Sequence, residues 1–163
     1  MVKITASLIR EVKEETGAPM LRAKKVLEEM NGDRQKAIDI LKKEGFEKMA
    51  KRADRETVNG IVVAYKHHTG KVASLVELLC ETDFVARNDL FIELANNIAM
   101  QVAAMNPKDA DELMKQDFIR PPALQASLIK DPSKKIEVLI KEVTAKTGEN
   151  IRLGRFERIE IGK

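Results

Sequence analysis

From Gly60 to Glu81 the apolar residues keep a period of two, and from Asn88 onward they keep helical spacing, so the chain must pass from sheet to helix within Cys80 to Asp89. In the first run Ile61, Val63 and Tyr65 alternate against Val62, Ala64 and Lys66; His67-His68-Thr69-Gly70 supplies a turn, and Val72, Val76, Leu78 and Cys80 share one face on the return. Two such runs about a Gly-containing turn predict an antiparallel hairpin. The following helix, Asn88 to Asn106, sets Phe91, Leu94, Ile98, Val102 and Met105 on one stripe, with Ala95, Ala99 and Ala103 beside it and Pro107 at its end. The small alanines let this helix lie close against the sheet.

Within the junction, Thr82 or Asp83 can cap the first helical turn by accepting a hydrogen bond from an unpaired backbone N–H. Phe84 follows at once, with Arg87 three positions on. An aromatic ring in this setting suits either a plug for the core or an exposed probe, and periodicity alone does not choose between them.

Upstream, the pattern predicts three short helices. The first, Thr5 to Thr16, places Leu8, Ile9 and Val12 on one face and ends at Gly17. The second starts near Pro19 and carries Met20, Ala23, Val26, Leu27 and Met30. The third, Arg34 to Lys43, is capped by Asp33, packs through Ala37, Ile38 and Leu41, and has Gly45 past its end. Phe46 to Asn59 is rich in charge and weak in periodicity, which suits a solvated helical linker. Downstream, Pro121-Pro122 breaks any helix begun at Ala110 to Gln116. Asp131-Pro132 caps a final helix bearing Ile136, Leu139, Ile140 and Val143, and Asn150 to Ile161 forms a third strand. The expected class is α+β: a three-helix bundle over 1–45, a charged linker over 46–59, and a three-stranded antiparallel sheet packed with helices over 60–163.

Composition narrows the function. A net charge of +3 from 29 basic and 26 acidic residues, with 4% aromatic residues and no tryptophan, offers neither the electrostatics nor the stacking surfaces for direct nucleic-acid binding. No apolar run approaches a bilayer span, and the start of the chain lacks a secretory pattern, so neither a membrane nor export is expected. The single cysteine, Cys80, sits in an apolar strand and reads as a buried structural thiol in a reducing compartment. His67 and His68 are neighbours in a turn with no acid or thiol spaced to complete a metal site. With no nucleophile–base arrangement and no phosphate-cradling glycine motif, catalytic residues, metal and cofactor are all expected to be absent, leaving a binding or regulatory protein.

Thr82-Asp83-Phe84-Val85-Ala86-Arg87-Asn88 resembles the signature of the elongation factor Ts family, guanine-nucleotide exchange factors for elongation factor Tu. Ile4-Thr5-Ala6-Ser7-Leu8, Thr16-Gly17-Ala18-Pro19-Met20-Leu21, Lys24-Lys25-Val26-Leu27 and Asn31-Gly32-Asp33 resemble that family's ubiquitin-associated-like head, and Gly148-Glu149-Asn150-Ile151 with Arg155-Phe156 its closing helix and strand. The resemblance implies a cytoplasmic partner of GDP-bound elongation factor Tu. It implies that Phe84 inserts its ring between helices of the partner's nucleotide domain, while Thr82, Asp83 and Val85 form the junction that dislocates Mg²⁺ and the phosphate contacts. Lys13, Met20 and Leu21 match head positions that add secondary contacts. Lys108 to Lys130 departs from the pattern, being several dozen residues shorter than usual, and Leu128 stands where the family tends to have phenylalanine. Two rivals carry their own expectations: an adaptor acting through the ubiquitin-associated-like head without exchange activity, and an RNA-associated protein using the basic linker, whose binding would depend steeply on salt.

Overall fold

The computed structural model describes residues 4–119 and 134–163, which fall into two compact units, Met1–Asp54 with Thr144–Glu149, and Arg55–Val143 with Asn150–Lys163. The class is α+β, with three helices packed together in the first unit and a three-stranded antiparallel sheet with helices in the second, as the two periodicities predict.

In the first unit, α1 (Ala6–Thr16) begins where the Thr5 hydroxyl accepts from the Leu8 N–H at 3.2 Å. It ends where Gly17, at φ 70°, donates its N–H to the Lys13 carbonyl. A side chain would be strained at that left-handed position, so glycine is the natural stop. α2 (Met20–Glu29) follows Pro19, and α3 (Arg34–Ala50) follows Asp33, whose carboxylate accepts from the Lys36 N–H at 3.1 Å. Val12, Ala23, Val26, Leu27, Ala37, Ile38 and Leu41 form the shared core. α3 runs seven residues beyond the Lys43 end expected from Gly45. Glycine in a helix interior costs about 1 kcal/mol relative to alanine, but a Cβ at Gly45 would come within 3.3 Å of the Ala145 Cβ. The glycine serves close packing rather than termination.

Arg22 of α2 donates from Nε to Glu44 Oε2 of α3 at 2.9 Å and from Nη2 to Oε1 of the same carboxylate, with Glu29 3.5 Å away. The hydrogen bonds from Arg22 hold the Glu44 carboxyl below its ordinary value, outweighing the opposing effect of desolvation.

The second unit is built on β1 (Asn59–Lys66), β2 (Val72–Cys80) and β3 (Arg152–Glu160) in the order β1-β2-β3, both pairings antiparallel. Val76 of the central strand faces Val63 on one side and Phe156 on the other. The register shifts between Val76 and Leu78, beside Gly154, where a Cβ would lie 2.5 Å from Glu77 Oε2. That oxygen instead accepts from the Arg155 N–H at 3.1 Å.

A four-residue helical turn, α4 (Asp83–Ala86), separates β2 from α5 (Asp89–Met105). α5 lies close against the sheet: the Ser74 hydroxyl donates to the Ala99 carbonyl at 2.6 Å, and Arg158 Nε donates to that of Ala103 at 2.9 Å. Phe91, Leu94, Ile98 and Val102 are buried with Val76 and Leu78, but Met105, placed on the same stripe by its spacing, is half exposed at the helix end. The opposite face of the sheet carries exposed Val62, Leu75 and Ile159.

α6 (Ala110–Lys115) and α7 (Ile136–Thr147) complete the helices. Gln101, buried on α5, binds the chain after α6 by accepting from the Ile119 N–H at 2.9 Å and donating to the Asp117 carbonyl at 3.1 Å. The Pro121-Pro122 break, Leu128 and the Asp131-Pro132 cap lie outside the described residues. β3 opens at Arg152, two residues after the strand start expected at Asn150.

Candidate functional site

The end of β2 is covalently continuous with the turn that carries Phe84, so the turn's geometry begins with strand chemistry. Cys80 is fully buried and its Sγ–H donates to the Thr82 carbonyl at 3.1 Å. Thr82 is extended, at φ −126° and ψ 160°, and its hydroxyl accepts from the Val85 N–H at 3.5 Å. Thr82, rather than Asp83, is therefore the cap. The Thr82 carbonyl also accepts from the Ala86 N–H at 3.2 Å, and the Val85 carbonyl from the Asn88 N–H at 3.0 Å. Asn88 then caps α5 by accepting from the Leu90 N–H at 2.9 Å. Two caps six residues apart close one helical turn and start the next helix.

That spacing divides the side chains of the turn. Val85 and Ala86 point into the core, while Asp83 and Phe84 stay outside, Phe84 with 84% of its surface exposed. Of the alternatives left open by periodicity, a plug for the core is excluded, because the ring is exposed. Its burial against another surface is worth about 1.5–3 kcal/mol, and aromatic side chains are favoured anchors at protein interfaces. Asp83 Oδ2 stands 3.4 Å from Arg87 Nη2, one turn on, with both groups exposed. A pair so wet adds little stability but sets opposite charges beside the ring.

Behind the turn lies a polar cluster that periodicity could not reveal. Glu81 Oε1 accepts from the backbone N–H of Asn150 at 2.6 Å, and Glu81 Oε2 from Arg55 Nη1 at 3.3 Å. The Glu81 carbonyl accepts from Asn59 Nδ2 at 2.9 Å, and Asn150 Nδ2 donates to the Arg55 carbonyl at 2.9 Å. These four residues come from the approach to β1, its first position, the end of β2 and the approach to β3. An Asn at a strand boundary is the sole sequence hint. The pairing of residues 69 apart is a product of sheet topology.

The remaining expected site residues lie in the first unit. Leu21 is 84% exposed and Met20 48% exposed at the start of α2, and Lys13 is exposed on α1. Simple core packing is thus excluded for Leu21, while Val26 and Leu27 on the same helix supply the core.

Comparison with known proteins matches residues 81–163 to the family model described as Elongation factor TS. Elongation factor Ts of Oleidesulfovibrio alaskensis is 39% identical over 197 residues, covering 99% of this chain and 100% of its own. That of Thermotoga maritima is 42% identical over 195 residues, covering 99% and 98%. The chain belongs to the elongation factor Ts family. Members of the elongation factor Ts family are nucleotide exchange factors for elongation factor Tu and not enzymes. An alignment of 197 positions against a chain of 163 residues leaves at least 34 positions of the Oleidesulfovibrio elongation factor Ts without a counterpart here. Among the described residues no helix is long and apolar enough to cross a membrane.

Proposed function

We propose that this chain binds GDP-bound elongation factor Tu in the cytoplasm and promotes GDP release, with the Thr82-Asp83-Phe84-Val85 turn as the working contact. The observation that carries the reading is the exposure of Phe84 on a turn whose next two residues, Val85 and Ala86, are buried. An apolar ring held outward by a doubly capped turn has no use in its own fold. Inserted between helices of the partner's nucleotide domain, it would displace the elements that hold Mg²⁺ and the phosphates, the contacts on which such GTPases depend for nucleotide retention. Thr82 and Val85 fix the turn, and Asp83 accompanies the ring at the contact.

The thermodynamics set the manner of action. A factor that lowers nucleotide affinity must have its own affinity lowered by nucleotide to the same degree, so GTP reloading releases it. Exposed Met20 and Leu21, with Lys13, supply a second contact on the same partner from the head. The chemistry requires neither a cofactor nor direct contact with nucleic acid or membrane.

The decisive measurement is release of fluorescent GDP from purified elongation factor Tu. Addition of this chain accelerates release, and Phe84→Ala slows the accelerated rate many-fold. An unchanged release rate on adding the intact chain overturns the reading.

A further inference from the structure

Exchange by this route needs more than an exposed ring. A ligand shifts an equilibrium between two states only by the difference in its affinity for them. A ring on a soft arm would swing aside and bind the GDP-holding and GDP-releasing states alike, displacing nothing. The backbone from which Phe84 projects therefore has to be stiff, and local hydrogen bonds within the turn do not make it so. They fix its shape but not its orientation on the sheet. Buried Val85 and Ala86 seat the turn on the core, and Glu81, the last residue before the cap, ties down the strand end from which it springs.

At that residue both the main chain and the side chain are held from outside the turn. The carbonyl of Glu81 takes the Asn59 amide at 2.9 Å. Its carboxylate, largely buried with the side chain 18% exposed, takes the Asn150 N–H at 2.6 Å and Arg55 at 3.3 Å. Asn150 is itself buried and tied to the Arg55 carbonyl at 2.9 Å. Charge-assisted bonds to a backbone N–H are short and strong. All three bonds on Glu81 resist rotation of the strand end on which the turn is mounted.

Building on the exchange reading above, we propose that Glu81 is a positioning residue for nucleotide release, acting through its bonds to Asn150, Arg55 and Asn59 to hold the Phe84 turn against the partner. The role is carried by the bonds of Glu81 within its own chain and calls for no contact with nucleotide or Mg²⁺. Its loss leaves the ring able to bind and unable to push, so the signature is a fall in the release rate at saturating factor with little change in the concentration giving half that rate.

The test uses the full chain, elongation factor Tu loaded with fluorescent GDP, and circular dichroism to verify folding. Glu81→Ala is expected to lower the saturating release rate about tenfold while changing the half-saturating concentration less than about threefold. Glu81→Gln keeps an oxygen for the Asn150 N–H and is expected to recover most of the rate. In a Phe84→Ala background, Glu81→Ala is expected to have no further effect, because the two residues act as one unit. An unchanged saturating rate in Glu81→Ala, or an equal loss in the Phe84→Ala background, overturns the proposal. Should Glu81→Ala fail to fold, Asn59→Ala removes the bond to the Glu81 carbonyl alone and must give the same kind of loss, smaller in size. Failure of the intact chain to release GDP is a separate outcome, and it overturns the exchange reading together with the positioning role built on it.

Discussion

Arg22 and Glu44 meet in a two-point ion pair that joins α2 to α3, Nε to Oε2 at 2.9 Å and Nη2 to Oε1. Arg22 stays charged at every working pH, so the pH dependence belongs to Glu44. Its carboxyl is held below its ordinary 4.5 in the folded state, chiefly by the Arg22 hydrogen bonds. The stabilisation is therefore fully present above 4.5 and is lost as the pH falls through the lowered folded value. Thermal unfolding of Arg22→Met should show a midpoint a few degrees below that of the unaltered chain at pH 7, with the gap closing as the pH is taken from 5 toward 3. A gap that stays constant over that range would show that the pair acts through packing and not charge.

Phe84 and Val85 are sequence neighbours with opposite fates, 84% and 9% exposed. Phe84→Ala should leave stability within about 0.5 kcal/mol, as truncations at the surface do. Val85→Ala removes buried apolar surface and should cost about 1–2.5 kcal/mol. Urea unfolding with an unchanged slope checks both. Equal losses would mean that in solution the ring folds back onto its own core.

A Cβ at Gly60 would meet the Leu78 carbonyl oxygen and approach the Leu79 Cα at 3.0 Å. Those are backbone atoms of the paired strand and cannot rotate away. Gly60→Ala should therefore destabilise the chain by about 1–3 kcal/mol, and amide exchange should rise first at the start of β1. Because Asn59 is the adjoining residue, release of that strand end also frees the Glu81 carbonyl.

The elements legible in the sequence are those whose pattern is local. The alternation of Ile61, Val63 and Tyr65, the stripe of Phe91, Leu94, Ile98 and Val102, and the cap Asp33 each predict what they form, because each signal lies within a few residues of its effect. Gly45 misleads for the converse reason: its small size answers to Ala145, 100 residues away, which no window centred on the helix contains. Phe84 is intermediate. Its place at a sheet-to-helix junction could be read, but exposure depends on how the Thr82 and Asn88 caps phase the turn, and that is a matter of three dimensions. The Glu81 cluster is illegible in principle from periodicity, since its four members share no common spacing and meet only when three strand ends converge.

The strand order β1-β2-β3 has a bearing on durability. Edge strands fray first, since each has one unpaired side, and the middle strand opens only when the whole sheet does. The middle strand here is β2, the one that runs directly into the Phe84 turn. A transient opening at one rim of the sheet leaves β2 paired on its other side, but it also frees Glu81 from Asn59 or from Asn150, so the strand that bears the ring outlasts the bonds that fix its end.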